Sequence, residues 1–434
     1  MKRIISLLLV LAVAFCVCGC KKNGDATSSI SDEVEYEHIT IRQDENGSDV
    51  VTSGGSGTQT SDVSSANSKP AGTNSPGSGN STPATPVKID YNTVVEVDIC
   101  DDIIRGYLDA DSPYQQYHFL SEYNGTKLDY QSLSLDWTLD GSSIYTVYFS
   151  ENADFSNSNI VETKYTTIKE SLCVPGKTYY WKVIGTHSTK PIGGGKIHIK
   201  DVPVRWLYID GTANVRDMGG WKTESGKKVR YEMMYRGRNL DGVSSTGLNT
   251  IKKLGLKTEF DLRYANQKNQ AAGTGMNYIF LDTSAQYDYI LKDRYVDEMR
   301  ANYKRIFEIL SDKSNYPIYT HCSAGADRTG TFAFITNGLL GVSYADLTRD
   351  FELTSFSSSG KRWRGNGDGG TFSDSDLEMK VEGNYVAWGK LYKEMMSSKY
   401  NTDGNLSHTI QNYLVNYIGV PQSQIDSFKS IMLE

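Results

Sequence analysis

Residues 321–330 read His-Cys-Ser-Ala-Gly-Ala-Asp-Arg-Thr-Gly, and this run constrains the local fold more tightly than any other stretch of the 434 residues. It follows a short apolar, β-branched segment, Tyr316-Pro-Ile-Tyr-Thr320, and opens into Thr331-Phe-Ala-Phe-Ile-Thr-Asn-Gly-Leu-Leu340. The pattern predicts a tight turn between a buried strand and a helix N-terminus. Such a turn aims several backbone N–H groups at one point, where the helix dipole favours an anion. Cys322 starts the turn and Arg328 ends it. A cysteine held there is pushed toward thiolate by amide dipoles and a fixed guanidinium. Arg328 presents a planar fork that grips two oxygens of an oxyanion. A lone cysteine is more often a small buried apolar residue, and glycine turns before helices are common. Here Cys322, Gly325, Arg328, Thr329 and Gly330 stand in register. Together they imply a thiolate nucleophile in a phosphate cradle, the arrangement that forms a cysteinyl-phosphate intermediate.

The run resembles the signature loop of the cysteine-dependent protein tyrosine phosphatase superfamily. More narrowly it is similar to a bacterial branch whose loop reads His-Cys-x-Ala-Gly-Lys-Asp-Arg-Thr-Gly. Three further segments look like elements of that branch: Asn214-Val-Arg-Asp-Met-Gly-Gly220, Met234-Tyr-Arg-Gly-Arg-Asn-Leu240, and Lys252-Lys-Leu-Gly-Leu-Lys-Thr-Glu-Phe-Asp-Leu-Arg263. The likeness spans about 205 to 434 in order and spacing. One departure stands inside the loop, where Ala326 replaces the branch's lysine. That removes a donor and a charge suited to multiply phosphorylated ligands such as phosphoinositides, and leaves simple phosphomonoester hydrolysis untouched.

The resemblance implies roles residue by residue. Cys322 would attack phosphorus in line with the leaving oxygen. The amides of Ser323, Ala324, Gly325, Ala326 and the residues up to Arg328 would hold the equatorial oxygens. Arg328 would bind two of them and strengthen as charge spreads in the transition state. Thr329 would donate to the sulfur, and His321 would orient the loop. The general acid is open. No Trp-Pro-Asp tripeptide occurs; Asp327 matches the branch's loop aspartate and leads, while Asp282, after Asn277-Tyr-Ile-Phe-Leu281, matches a position where relatives place an acid. Asp282 would protonate the leaving group or pair with Arg328. Asp261, in Asp-Leu-Arg, reads as structural. Arg216 and Asp217 are expected as ion-paired supports of the site, against the alternative of a solvated surface pair.

The chain begins Met1-Lys-Arg3, continues with an apolar run from Ile4 to Val17, and then reads Cys18-Gly19-Cys20. The run is short for a bilayer span and fits a secretory segment. It resembles a bacterial lipoprotein signal over 1–19, with Cys20 lipidated and the protein held at the outward face of the cell membrane. Removing Lys2 and Arg3 leaves 43 basic residues against 52 acidic ones, a balance without the basic stripe that nucleic-acid binding wants. Cys16 and Cys18 leave with the signal and Cys322 must stay free. Only Cys100 and Cys173 remain to pair, and two buried thiols are the other reading. No cysteine spacing gives a zinc signature. The expected chemistry calls for no metal and no cofactor, and for a phosphorylated protein or small phosphomonoester as partner.

Residues 20–88 are expected as a Ser/Thr/Gly-rich tether, too poor in large apolar residues beyond 42 to bury a core. Residues 89–202 carry strand patterning, as in Ser132-Leu-Ser-Leu-Asp-Trp137 and Gly176-Lys-Thr-Tyr-Tyr-Trp-Lys-Val183. They predict a β-sandwich similar to a fibronectin type III or immunoglobulin-like module, with Gly193-Gly-Gly195 as a hairpin tip. From 203 to 434 strands and helices alternate, predicting an α/β domain with a parallel sheet and a helical C-terminal cap. Between them Arg362-Trp-Arg-Gly-Asn-Gly-Asp368 reads as a charged loop, with Trp363 as a candidate cover for the pocket. Asn366 and Asp368 lack the calcium-loop spacing. Two other functions stay in view: an inositol-phosphate or phosphoinositide phosphatase, and a surface protein that binds phosphorylated ligands with little turnover.

Overall fold

The computed structural model describes residues 90–125, 128, 132–282, 285–360, 362–364 and 385–434, together with the backbone of 39–43 and 49–53. The expected signal segment, Cys20, most of the expected tether and the pair Asn366 and Asp368 lie outside the described residues.

Two strands, β1 (Ile39–Gln43) and β2 (Asp49–Ser53), pair antiparallel inside the stretch expected to be tether. They join a seven-stranded sheet with β3 (Val94–Val97), β5 (Tyr145–Ser150), β6 (Asn159–Thr163), β8 (Thr178–Gly185) and β9 (Gly193–Ile199), in the order β1-β2-β6-β5-β8-β9-β3. A second, two-stranded sheet pairs β4 (Leu133–Asp136) with β7 (Thr167–Glu170). Alternate residues of β4, β5 and β8, among them Leu133, Leu135, Tyr145, Val147, Tyr179 and Val183, close one core. The three glycines expected as a hairpin tip lie within β9 instead. A Cβ at Gly193 would stand 2.9 Å from Val183 and 3.1 Å from Trp137, so the strand passes close beneath those side chains only because it is bare there.

The same stretch also holds two helices that strand patterning did not predict, α1 (Asp102–Asp109) and α2 (Pro113–Glu122). Both carry plain start signals. Asp101 accepts from the amides of Ile103 and Ile104, and Ser112 caps a helix with proline in its first turn. Their apolar stripe of Ile104, Tyr107 and Leu120 packs into the core of the C-terminal α/β unit, not that of the sheets beside them. Residues of α1 and α2 therefore join the core of the C-terminal unit although they precede the expected boundary near 202.

The C-terminal sheet runs β10-β11-β14-β12-β13, from β10 (Arg216–Asp217), β11 (Met234–Arg238), β12 (Thr258–Asp261), β13 (Asn277–Phe280) and β14 (Ile318–Cys322). All pairings but β10 with β11 are parallel, as the alternation predicted. Central β14 is buried at every residue, which its continuous apolar and β-branched sequence permits. Around the sheet lie α3 (Ser245–Lys253), α4 (Val296–Leu310), α5 (Asp327–Leu339), α6 (Tyr344–Glu352), α7 (Tyr385–Ser397), α8 (Leu406–Asn412) and α9 (Gln422–Met432). Helix α5 is buried from Arg328 to Leu339, because the sheet covers one side and the C-terminal helices the other. Trp388 of α7 stacks on Phe351 at 4.3 Å and meets Phe334 of α5 edge-on at 5.6 Å. Each such buried aromatic contributes about 1.5–3 kcal/mol. The cap thereby fixes the helix on which the candidate loop ends.

Candidate active site

Strand β14 delivers Cys322 to the C-terminal edge of the sheet, opposite Arg238 of β11, while His321 lies level with Asp261 of β12. Ligands meet open α/β sheets at that edge. His321 is fully buried, and its Nε2 lies 2.9 Å from Glu259. Its contact thus runs to the neighbouring strand β12, not to the loop. Beyond Cys322 the chain turns at Gly325 with φ 69°. A Cβ at Gly325 would stand 2.1 Å from the carbonyl oxygen of Gly237, so only glycine lets the loop close onto β11.

The loop's carbonyl groups are drawn away from its concave side. Asn239 donates to Ser323 O at 3.0 Å, and Ser359 to Ala324 O at 2.8 Å. Asn214 Nδ2 donates to the carbonyls of Ala324 and Gly325 at 3.2 and 3.3 Å. Arg236 Nη2 reaches Gly325 O at 2.9 Å and Ala326 O at 3.3 Å. The amides of Ser323 to Ala326 donate to no acceptor among the described residues. A turn with its C=O groups tied behind it presents N–H groups in front, which is an anion nest.

A buried ion network stands behind those donors. Asp350 of α6 accepts from Arg216 Nε at 2.9 Å and from Arg236 Nη1. Arg216 also donates to Asn214 Oδ1 at 2.6 Å and to Asp350 O at 2.7 Å. Burial and the neighbouring Arg236 push the Arg216 guanidinium down to about 10, so it stays charged near neutrality. Arg216 thus stands behind the loop through Asn214 and Asp350. Asp217 does not: it pairs with Arg205 at 3.1 Å, and Arg205 in turn holds the carbonyls of Leu172 and Cys173. Successive residues of a strand face opposite sides, so only one of this pair reaches the loop. Both are buried, which excludes the solvated surface pair.

The Cys322 side chain is buried at 2% exposure. Burial alone pushes its thiol up, but the Arg328 guanidinium and the hydroxyl and amide of Thr329 outweigh it and hold the thiol below its ordinary range. The Thr329 hydroxyl is itself buried and has no hydrogen-bond partner among the described residues, so its hydrogen is free to turn toward the sulfur. Cys322 alkylation by iodoacetamide should accordingly proceed at pH values where an ordinary thiol is protonated. Its rate–pH midpoint should move upward in Arg328→Ala; an unchanged midpoint would contradict the guanidinium's role. Arg328 has no carboxylate partner among the described residues. It donates to Leu262 O at 3.2 Å and Ser323 Oγ at 3.4 Å, and its guanidinium lies 4.3 Å from the Tyr264 ring centroid. Neutral contacts orient the fork and leave its charge for an anion.

The aspartates separate clearly. Asp261 is gripped by Arg263 and accepts from Tyr278 at 2.7 Å, the bracing role expected of it. Asp327 accepts from Arg362 Nε at 2.9 Å, from Arg362 Nη2 at 3.0 Å and from the Tyr287 hydroxyl. Asp282 is exposed just past β13, with its backbone carbonyl held by Asn302 at 2.7 Å, and it forms no ion pair with Arg328. Strand β13 lies two strand spacings from β14, ~10 Å, so Asp282 stands across the sheet edge from Cys322. Ala326 is fully buried and brings no charge to the loop.

Trp363 does not cover the pocket. It is 2% exposed and packs edge-on against Tyr117 of α2 at 5.1 Å. Cys100 and Cys173 form no disulfide with each other. Asn214 and Arg236 sit in the segments quoted for the resemblance, but neither carries a signal of its own in the sequence. Asp350, Tyr264, Tyr287 and Arg362 carried no local signal, because each acts through a partner distant in sequence.

A Cupriavidus necator protein assigned by name to the tyrosine-protein phosphatases is 26% identical over 168 residues, covering 33% of this chain and 61% of that protein. The core catalytic domain of the PP-IP phosphatase SIW14 from S. cerevisiae, solved in complex with citrate, is 19% identical over 30% of this chain and 74% of its own, with a TM-score of 0.23. The family described as the tyrosine phosphatase family matches residues 207–434, more than half of the chain, including the whole sheet that carries Cys322 and the helix that carries Arg328. On that match the chain belongs to the tyrosine phosphatase family.

Proposed function

We propose that this chain is a cysteine-dependent phosphatase of phosphomonoesters, phosphotyrosine foremost. One observation carries the reading: a buried thiol held toward thiolate by Arg328 and Thr329, at the mouth of a loop whose carbonyls are tied back. The Cys322 thiolate attacks phosphorus while the bond to the leaving oxygen breaks, and the amides and Arg328 take up the charge on the equatorial oxygens. Water then attacks the phosphocysteine and the sulfur leaves as thiolate. Asp282 supplies the proton to the leaving oxygen and receives one from the attacking water. This reverses the order the sequence suggested, because Asp327 already accepts hydrogen bonds at both oxygens. The exposed ring of Tyr264 beside Arg328 suits an aryl ester, and Ala326 offers nothing to a second phosphate.

The start of the chain supports a lipoprotein signal with Cys20 as the lipidated residue, which would put this chemistry outside the cytoplasm. The sheets before 200 support a fibronectin-like module between anchor and enzyme.

The test is hydrolysis of 4-nitrophenyl phosphate and a phosphotyrosyl peptide in metal-free, reducing buffer, with vanadate as inhibitor. Asp282→Asn should remove the basic limb of the pH–rate profile and lower peptide turnover roughly 10²–10⁴-fold. Nitrophenolate, which leaves without a proton, should be affected far less. Asp327→Asn should keep the limb. Absence of any ester turnover would overturn the function, and loss of the limb in Asp327→Asn alone would return the acid to the loop.

A further inference from the structure

Asp327 is the first residue of α5 and lies next to Arg328, so its negative charge stands beside the site that must accept a phosphate dianion. Its charge is felt at the Cys322 sulfur, where it opposes the thiolate. Arg362 meets that charge with two donors, at 2.9 and 3.0 Å. A long arginine holds such a geometry only if its backbone is fixed. Ser355 does this at both ends: its hydroxyl accepts from the Arg362 amide and donates to the Arg362 carbonyl, each at 2.7 Å.

The two residues that follow are anchored in α1 and α2. Trp363 packs on Tyr117. Arg364 donates to both oxygens of Glu352 at 2.7 Å and to Gln116 at 2.6 Å, while the Tyr107 hydroxyl donates to the same Glu352 at 2.6 Å. Glu352 is fully buried, so its charge has to be matched where it stands and the arrangement is not free to drift. A continuous set of contacts therefore leads from α1–α2 through Arg364 and Trp363 to Arg362, and from there to the phosphate loop.

We infer that Arg362 is a positioning residue of the phosphate loop, held on Asp327 by the helical pair α1–α2, which makes residues 102–122 a working part of the catalytic unit. Arg362 fixes the first turn of α5 and cancels a carboxylate that would otherwise repel the incoming phosphate. The inference rests on the phosphatase reading of the loop, so its test measures binding apart from turnover.

Inorganic phosphate is titrated calorimetrically into the full chain carrying Cys322→Ser. Adding Arg362→Ala should weaken phosphate binding about tenfold or more, the scale of losing one partner of a close charge pair. Adding Asp327→Ala to that variant should restore most of the affinity, and Arg362→Lys should keep part of it. In the active enzyme Arg362→Ala should raise KM more than it lowers kcat. Tyr117→Ala should weaken phosphate several-fold in the parent and not further beside Arg362→Ala. Should it fail to fold, Gln116→Ala, which removes only the hydrogen bond to Arg364, carries the same comparison. Unchanged phosphate affinity in Arg362→Ala, or no recovery with Asp327→Ala, overturns the positioning role. Additive effects of the α2 and Arg362 substitutions overturn the part given to α1–α2. A parent that binds no phosphate overturns the phosphatase reading itself.

Discussion

Asp350→Ala should destabilise the protein by ~3–5 kcal/mol, the cost of leaving buried charges without their counter-ion. The carboxylate is 4% exposed and lies between Arg216 at 1% and Arg236 at 0%, so neither guanidinium can turn to water. Both also hold the loop, Arg236 through the carbonyls of Gly325 and Ala326 and Arg216 through Asn214. Loss of stability and loss of phosphate binding should therefore appear together. The pH dependence has a definite sign. Burial pushes the Asp350 carboxyl up, but Arg236 and Arg216 outweigh it and hold it below the usual carboxylate range. A depressed folded-state value means the contribution is fully present above the unfolded carboxylate range and is lost as pH falls through the folded one. Urea unfolding of parent and variant at neutral and acidic pH tests this. A variant within 1 kcal/mol of the parent at neutral pH would remove Asp350 from the account, since ordinary surface substitutions fall within roughly ±0.5 kcal/mol.

Arg328→Lys should leave the fold intact and lower kcat by roughly 10³–10⁵, the range an arginine at a transferring phosphoryl group supplies. The two expectations separate because Arg328 is buried yet holds no structural carboxylate among the described residues, where its partners are Leu262 O, Ser323 Oγ and the Tyr264 ring. Lysine keeps the charge and loses the planar fork, so it cannot bridge two equatorial oxygens. Steady-state kinetics beside a melting curve decide it. A large fall in melting temperature, or a kcat within tenfold of the parent, would mean that Arg328 serves structure more than chemistry.

The strand, loop and helix around Cys322 were legible because their signals are local: a β-branched apolar run, a glycine at a tight turn, and a helix start. The parallel sheet followed from alternation, and Arg216 from its place in a recognisable segment. What escaped depends on contacts far apart in sequence. Asp217 sits next to Arg216 yet faces the other side of β10, toward Arg205. The start signals at Asp101 and Ser112 stood in plain view, but a stretch dominated by strand alternation obscured them. Trp363 looked like a pocket cover because a tryptophan between two arginines does not reveal that Tyr117 lies against it. Asp327 seemed the natural acid until Arg362 and Tyr287, 35 and 40 residues away, took both of its oxygens.

The central claim is that Cys322 carries the phosphoryl group, and the most direct measurement catches it there. The full chain is mixed with a phosphotyrosyl peptide, quenched in acid within the first turnovers, digested and mapped by mass spectrometry. Phosphate should appear on the peptide that contains Cys322 and be absent from Cys322→Ser, which should still bind phosphate and release none. Turnover surviving in Cys322→Ser, or a phosphorylated residue other than Cys322, would contradict the account.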